Sequence, residues 1–210
     1  MSAGKRPTFA YPTEPHHPTE PDQRRHKPPV RTDYRRYKEY LRDEFVFTCV
    51  YCLMRETWTG SPATFGVEHF HPKSKAPELI STYTNLLYVC NFCNSARGNR
   101  PMSPALHPEI NPFGAHLEII NDGTVKHRTE TGLALIDLLK LNRPEVVTHR
   151  LRMLKLYQLL MATRKLPILG HLSREALTLF FGFPQPMFDL STQKGAVNPY
   201  CRRTDRPPWY

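Results

Sequence analysis

The sequence predicts an α+β fold built around a small strand–loop–strand–helix unit whose two ends are tied together by cysteines. Three observations predict it. Two Cys-x-x-Cys pairs, Cys49/Cys52 and Cys90/Cys93, enclose residues 53–89. Two short apolar runs inside that interval have strand content, and the stretches on either side carry the spacing of helices.

The cysteines come first because they fix the ends. A Cys-x-x-Cys turn aims both sulfurs at one centre about 2.3 Å away, so two such turns supply the four thiolates of a tetrahedral zinc site. The alternative is a disulfide framework or two unrelated turns. The chain has no stretch resembling a secretory signal, which disfavours disulfides. Cys49, Cys52, Cys90 and Cys93 are therefore expected to hold one structural Zn2+, with Cys201, in a polar Pro-rich tail, a bystander. Compact zinc ribbons join their knuckles through about 15–20 residues. Here the interval is long enough for a hairpin and a loop, and closing it with a metal fixes the insertion's ends relative to each other.

Within the insertion, Thr64-Phe65-Gly66-Val67 reads as a strand leading into Glu68-His69, and Pro72 ends it. Lys73-Ser74-Lys75-Ala76-Pro77 is a basic turn or loop. Asn85-Leu86-Leu87-Tyr88-Val89 is short enough for a buried strand. After Cys93, Asn94-Ser95-Ala96-Arg97 opens a short helix that Gly98 ends.

The order C-x-x-C, Glu68-His69 followed by Pro72-Lys73-Ser74, Asn85-Leu86, then C-x-x-C-Asn94 with Arg97-Gly98, resembles the HNH (ββα-metal) endonuclease family in its zinc-stapled form. The match covers residues 49 to about 99. A fainter likeness runs on through Asn111-Pro112-Phe113, the Asn121-Asp122-Gly123 turn and Leu139-Lys140-Leu141-Asn142-Arg143, and is similar to bacterial HNH proteins of retron and Septu-type anti-phage systems.

The resemblance implies a ββα-metal core and roles for its residues. His69 would be the general base, Glu68 and Asn94 would hold a catalytic Mg2+ or Mn2+, and Asn85 would brace the loop that presents His69. The residue types suit these roles. An imidazole with an ordinary pKa of about 6.5 accepts water's proton at neutral pH, and carboxylate and amide oxygens suit hard cations. On a regular strand Glu68 and His69 point to opposite faces; in the family both converge at the strand's end. Many members carry Asp where this chain has Glu68, and His where it has Asn94. His71 is a ligand, a substrate contact or a polar bystander, the last being favoured. Lys73, Arg97 and Arg100 flank the centre as candidate phosphate contacts.

The rest of the chain fits around this unit. Its 210 residues carry a formal net charge of +10, a balance that favours polyanions and argues against an acidic scaffold. Residues 1–31, with Pro7, Pro12, Pro15, Pro18, Pro21, Pro28 and Pro29 and few apolar side chains, are expected to form a disordered basic arm. Residues 32–105 make the nuclease core with a leading helix from about Asp33 to Glu44, on which Tyr34, Tyr37 and Leu41 share a face. Residues 106–185 form a hairpin around Asn121-Asp122-Gly123 and helical support. In that support Gly132 to Leu141 is one helix and Pro144 opens the next, running to about Lys165, with Val147, Leu151, Leu154 and Leu160 as its apolar stripe. Ser173 caps a shorter helix ending near Gly182, and residues 186–210 are a polar tail. No apolar run reaches the ~20 residues that span a bilayer, so a membrane role is not expected and cytoplasmic residence is.

Three classes of function follow. A metal-dependent endonuclease acting on nucleic acid, DNA before RNA, uses every element above, as an anti-phage effector with or without an ATPase partner. A non-catalytic zinc module that binds nucleic acid needs only the cysteines and the basic surface. A regulatory subunit of a larger nuclease complex needs neither cleavage chemistry nor an open site.

Overall fold

The computed structural model describes residues 24, 26–170, 172 and 176, apart from 46, 60, 103–105, 112, 164 and 168. They form a mixed α+β structure with two small antiparallel sheets. The helix expected from Asp33 opens as a 3₁₀ turn, Tyr34–Tyr37, in which the Asp33 carboxylate accepts from one free amide (Arg35 N to Oδ1, 3.0 Å). It continues as α1 (Lys38–Glu44) with Tyr37 and Leu41 buried.

The chain then turns tightly into the first cysteine knuckle. The amide of Cys49 bonds to the carbonyl of Met54 (2.8 Å), and that of Leu53 returns to Cys49 (3.0 Å). Closing so short a turn puts Leu53 at φ +60°, a left-handed conformation costly to a residue with a Cβ. A short helix, α2 (Glu56–Thr59), follows, and its Glu56 is a buried anchor. Arg42 Nε and Nη2 bond to the two Glu56 oxygens at 2.9 and 2.5 Å, and the Tyr88 hydroxyl donates to Oε2 at 2.7 Å. That buried fork joins α1, the knuckle and the second strand.

Strands β1 (Phe65–His69) and β2 (Leu86–Cys90) pair antiparallel, with Phe65 opposite Cys90, Val67 opposite Tyr88 and His69 opposite Leu86. Directly opposed residues share a face. Phe65, Val67, His69, Leu86, Tyr88 and Cys90 therefore lie on one side, where α1 and the turn before it pack. Gly66, Glu68, Leu87 and Val89 lie on the other, under α3 (Asn91–Arg97). Covering both faces explains why all five residues of β2 are buried. The helix starts two residues before Cys93 and stops where expected, at Gly98 (φ +55°, ψ −136°), whose amide bonds to the Asn94 carbonyl (2.9 Å).

Beyond this unit, β3 (Leu117–Ile119) and β4 (Val125–His127) form the hairpin expected around Asn121-Asp122-Gly123. α4 (Glu130–Leu139) buries Leu135, Leu138 and Leu139. In α5 (Pro144–Thr163) Val146, Arg150 and Tyr157 are buried; of the expected stripe, Leu154 and Leu160 pack against Tyr157, and Val147 and Leu151 are half-buried. Arg150 is inward because its guanidinium caps the carbonyls of Gly123 and Leu141.

Within the Pro-rich arm, expected to be disordered, Arg24 and His26 are buried against the body. Arg24 is buried, bonds to Glu109 (Nη2 to Oε2, 2.7 Å) and reaches the carbonyls of Tyr83 and Thr84. His26 sits 2.6 Å from an Asp43 oxygen. The helix expected from Ser173 to Gly182 and the thiol of Cys201 lie outside the described residues, apart from Ala176. No helix among the described residues is long and apolar enough to cross a membrane.

Candidate functional site

The two knuckles bring Cys49, Cys52, Cys90 and Cys93 together, all buried, with their four sulfurs within 4.8 Å of one another. None is in a disulfide. The Cys52 and Cys90 sulfurs are 3.6 Å apart, close to the edge of about 3.8 Å of a tetrahedron whose centre lies about 2.3 Å from each corner. Burial pushes the Cys49 thiol well above its ordinary range, so four thiolates would form here only with a cation among them. The donor set fits a metal ion such as zinc. Arg143, which the sequence reading gave no role, stands beside this cluster. Its Nη1 donates to the Phe92 carbonyl (2.8 Å), and its Nη2 lies 3.8 Å from the Cys93 sulfur.

His69 lies at the end of β1, on the face turned to α1. Its Nε2 is 2.9 Å from the carbonyl of Ile80, which can only accept, so Nε2 carries the proton and Nδ1 is the basic nitrogen. The ring packs edge-on against Tyr34 (centroids 4.7 Å apart). Burial lowers the imidazole's pKa below its ordinary value; the Ile80 bond opposes this and the Lys73 charge adds to it. His69 is therefore neutral near pH 7. Lys73 stands over the same Tyr34 ring, 4.9 Å from its centroid, with its ammonium 3.3 Å from the hydroxyl.

Asn85 spans the loop between the strands. Its Oδ1 accepts from the His71 amide (2.8 Å), and its Nδ2 donates to the carbonyls of His71 and Leu79 (both 3.2 Å). The loop so held runs from the residue after Phe70 to the residue before Ile80. His71 itself is exposed, its backbone held by Asn85 and its ring edge-on to Phe70 (centroids 4.9 Å).

Glu68 is on the opposite face, as strand alternation requires. It is 6 % exposed and paired with the Nη1 of Arg97. The same guanidinium donates to the carbonyls of His69 (2.6 Å) and Phe70. Arg97 is 1 % exposed, which corrects its placing as a surface contact for phosphate: its two terminal nitrogens are spent inside the protein. Asn94 lies on the same side of α3, over Gly66, where an added Cβ would stand 3.5 Å from its Nδ2. Glu68, Asn94 and Arg97 are thus gathered on one face and His69 on the other. The carboxylate and amide have the chemistry for a hard cation. With Arg97 against it, however, Glu68 presents no open oxygen pair, so a Mg2+ or Mn2+ ion does not fit this arrangement. Arg100 is also occupied: it reaches the carbonyls of Ala96 and Leu138 (the latter 2.7 Å) and ties the end of α3 to α4.

Fold and site together define an α+β protein with a buried cluster of four cysteines that could hold a metal ion, and a strand hairpin carrying a fixed histidine. No family model matches the chain. Over 97 residues it is 31 % identical to the Septu protein PtuB of Bacillus thuringiensis. The aligned stretch covers 45 % of this chain and spans 37 % of that relative's length.

Proposed function

We propose that this chain is an HNH endonuclease that hydrolyses phosphodiester bonds in nucleic acid, DNA in the first instance, as an effector of anti-phage defence. The observation that carries the chemistry is the His69 ring: held at Nε2 by Ile80, neutral, and with Nδ1 free to take a proton from water. The four-cysteine centre supports it by fastening both ends of the insertion that bears His69, and the Asn85 amide supports it by fixing the loop in between. Lys73, exposed beside the ring, supplies a positive charge where a phosphate would approach. The likeness to PtuB favours the defence setting and is consistent with a protein partner from the same system.

One observation favours a second reading, a zinc module that binds nucleic acid or regulates a nuclease without cleaving. Glu68 is paired with Arg97 and faces away from His69, so the groups that would act together are not assembled. A plasmid-nicking assay with Mg2+ or Mn2+, run on the parent and on His69→Ala, separates the two. The nuclease reading predicts cleavage that disappears in His69→Ala while zinc content and the far-ultraviolet spectrum stay unchanged. Tight binding of DNA and RNA with no cleavage by the parent would establish the second reading instead.

A further inference from the structure

Three oxygens converge on one cationic group at the end of β1. The Glu68 carboxylate, the His69 carbonyl and the Phe70 carbonyl all accept from the two terminal nitrogens of Arg97. Carboxylate and backbone carbonyls are the donors that hard divalent cations take. The guanidinium therefore fills an all-oxygen cage of the kind that would otherwise receive a metal ion. Asn94 stands one turn before Arg97 on the same face of α3, with its amide nitrogen over Gly66.

The fit of Arg97 in this cage is incomplete. Its Nε is buried without a hydrogen-bond partner among the described residues. A buried donor left unpaired costs free energy, so this guanidinium is a weaker occupant than its count of contacts implies.

We propose that Arg97 is the resident cation of this cage. A Mg2+ or Mn2+ ion binds to Glu68 and the carbonyls of His69 and Phe70 only when Arg97 has withdrawn. The two cations exclude each other because one carboxylate faces both and their like charges repel at contact distance. Arg97 thereby holds the hydrolytic centre in a metal-free form. An incoming phosphate, which competes with Glu68 for a guanidinium, is the group suited to draw it away. By linkage, whatever pulls Arg97 out raises metal affinity by the same factor that the metal raises its own. This rests on the reading that the β1 end is the hydrolytic centre, but its test reads metal binding by the protein alone, without nucleic acid and without cleavage.

The test adds Mn2+ to the full chain with its cysteine centre loaded with zinc. In the parent, the backbone amide signals of residues 68–70 keep their intensity, because Arg97 blocks the cage. Selective broadening of those signals in the parent would overturn the proposal, and this measurement needs no variant to fold. In Arg97→Gln, the same amides broaden and Mn2+ affinity read by electron paramagnetic resonance rises about tenfold or more. The gain is lost in the double variant Arg97→Gln with Glu68→Gln. A folded Arg97→Gln chain that binds Mn2+ no better than the parent, or a gain that survives Glu68→Gln, sinks the idea. Should the parent fail to cleave any nucleic acid while Arg97→Gln gains the ion, the cage stands and the hydrolytic reading falls.

Discussion

Asn85 and His69 grip neighbouring carbonyls of one loop: Asn85 Nδ2 takes that of Leu79 at 3.2 Å, and His69 Nε2 takes that of Ile80 at 2.9 Å. The Phe70 amide, next to His69, in turn bonds to the Asn85 carbonyl (2.8 Å). The orientation of the imidazole therefore depends on the amide of a residue sixteen positions away. Asn85→Ala strips the His71 amide and two carbonyls of their partner inside the protein, a loss of about 1–3 kcal/mol. Thermal unfolding should show this destabilisation with zinc content unchanged. Proton-detected imidazole spectra of the folded variant should show His69 sampling both tautomers, and nicking activity should fall with it. A variant whose His69 stays in the parent's tautomer would separate the two residues.

At the metal centre, Cys90→Ser removes one of four buried sulfurs and leaves a hydroxyl that holds zinc poorly. Zinc per chain should drop and the strand hairpin should lose its cooperative unfolding, as read by metal analysis and calorimetry. Arg143→Met tests the outer surroundings of the same centre. It deletes the donor near Cys93 and the bond to the Phe92 carbonyl while keeping a side chain of similar reach. Zinc affinity measured by chelator competition should weaken by about 10- to 100-fold, with the four ligands intact.

Much of this arrangement is legible from residue order alone, because local rules decide it. Gly98 ends α3 where a left-handed backbone is needed, Asn121-Asp122-Gly123 turns the second hairpin, and apolar runs of five residues have room only for strands. Period two in β1 already sets Glu68 and His69 on opposite faces. What stays hidden depends on contacts distant in sequence. Arg97 has the look of a solvated helix residue until the end of β1 closes over it. Arg24 sits in a composition that argues for disorder, yet one ion pair with Glu109 and two carbonyls hold it down. On α5 Arg150 faces inward to cap carbonyls, which no hydrophobic pattern records.

Gly132, in the first turn of α4, approaches the backbone at His116 so closely that an added Cβ would stand 2.1 Å from the carbonyl oxygen of His116. No side chain can rotate away to admit it. The Thr129 side chain caps the same turn through the Gly132 amide at 3.1 Å, which leaves the helix little freedom to shift. Gly132→Ala should therefore destabilise the chain by about 2–4 kcal/mol, despite alanine's better helix propensity. A denaturation midpoint equal to or above the parent's would show that α4 can slide off the hairpin.

His107 makes the fold sensitive to acid. Its ring is packed against Phe70 (centroids 4.6 Å), and its Nδ1 accepts from the Glu109 amide (3.3 Å), a bond only an unprotonated Nδ1 can make. Burial, then the charges of Arg24 and His71, lower its pKa to about 3. The Glu109 carboxylate, 3.8 Å from Nε2, pulls the other way, but Arg24 already claims both of its oxygens. In the unfolded chain the group titrates near 6.5. Protonation therefore favours unfolding, and the stability present above about pH 6.5 is lost as pH falls towards about 3. At pH 5 the loss amounts to about 2 kcal/mol. Denaturant titrations between pH 7 and 4 should show this decline. His107→Phe, which keeps the ring contact with Phe70 and cannot be protonated, should flatten it by that amount. An equally steep decline in the variant would move the acid sensitivity to other groups.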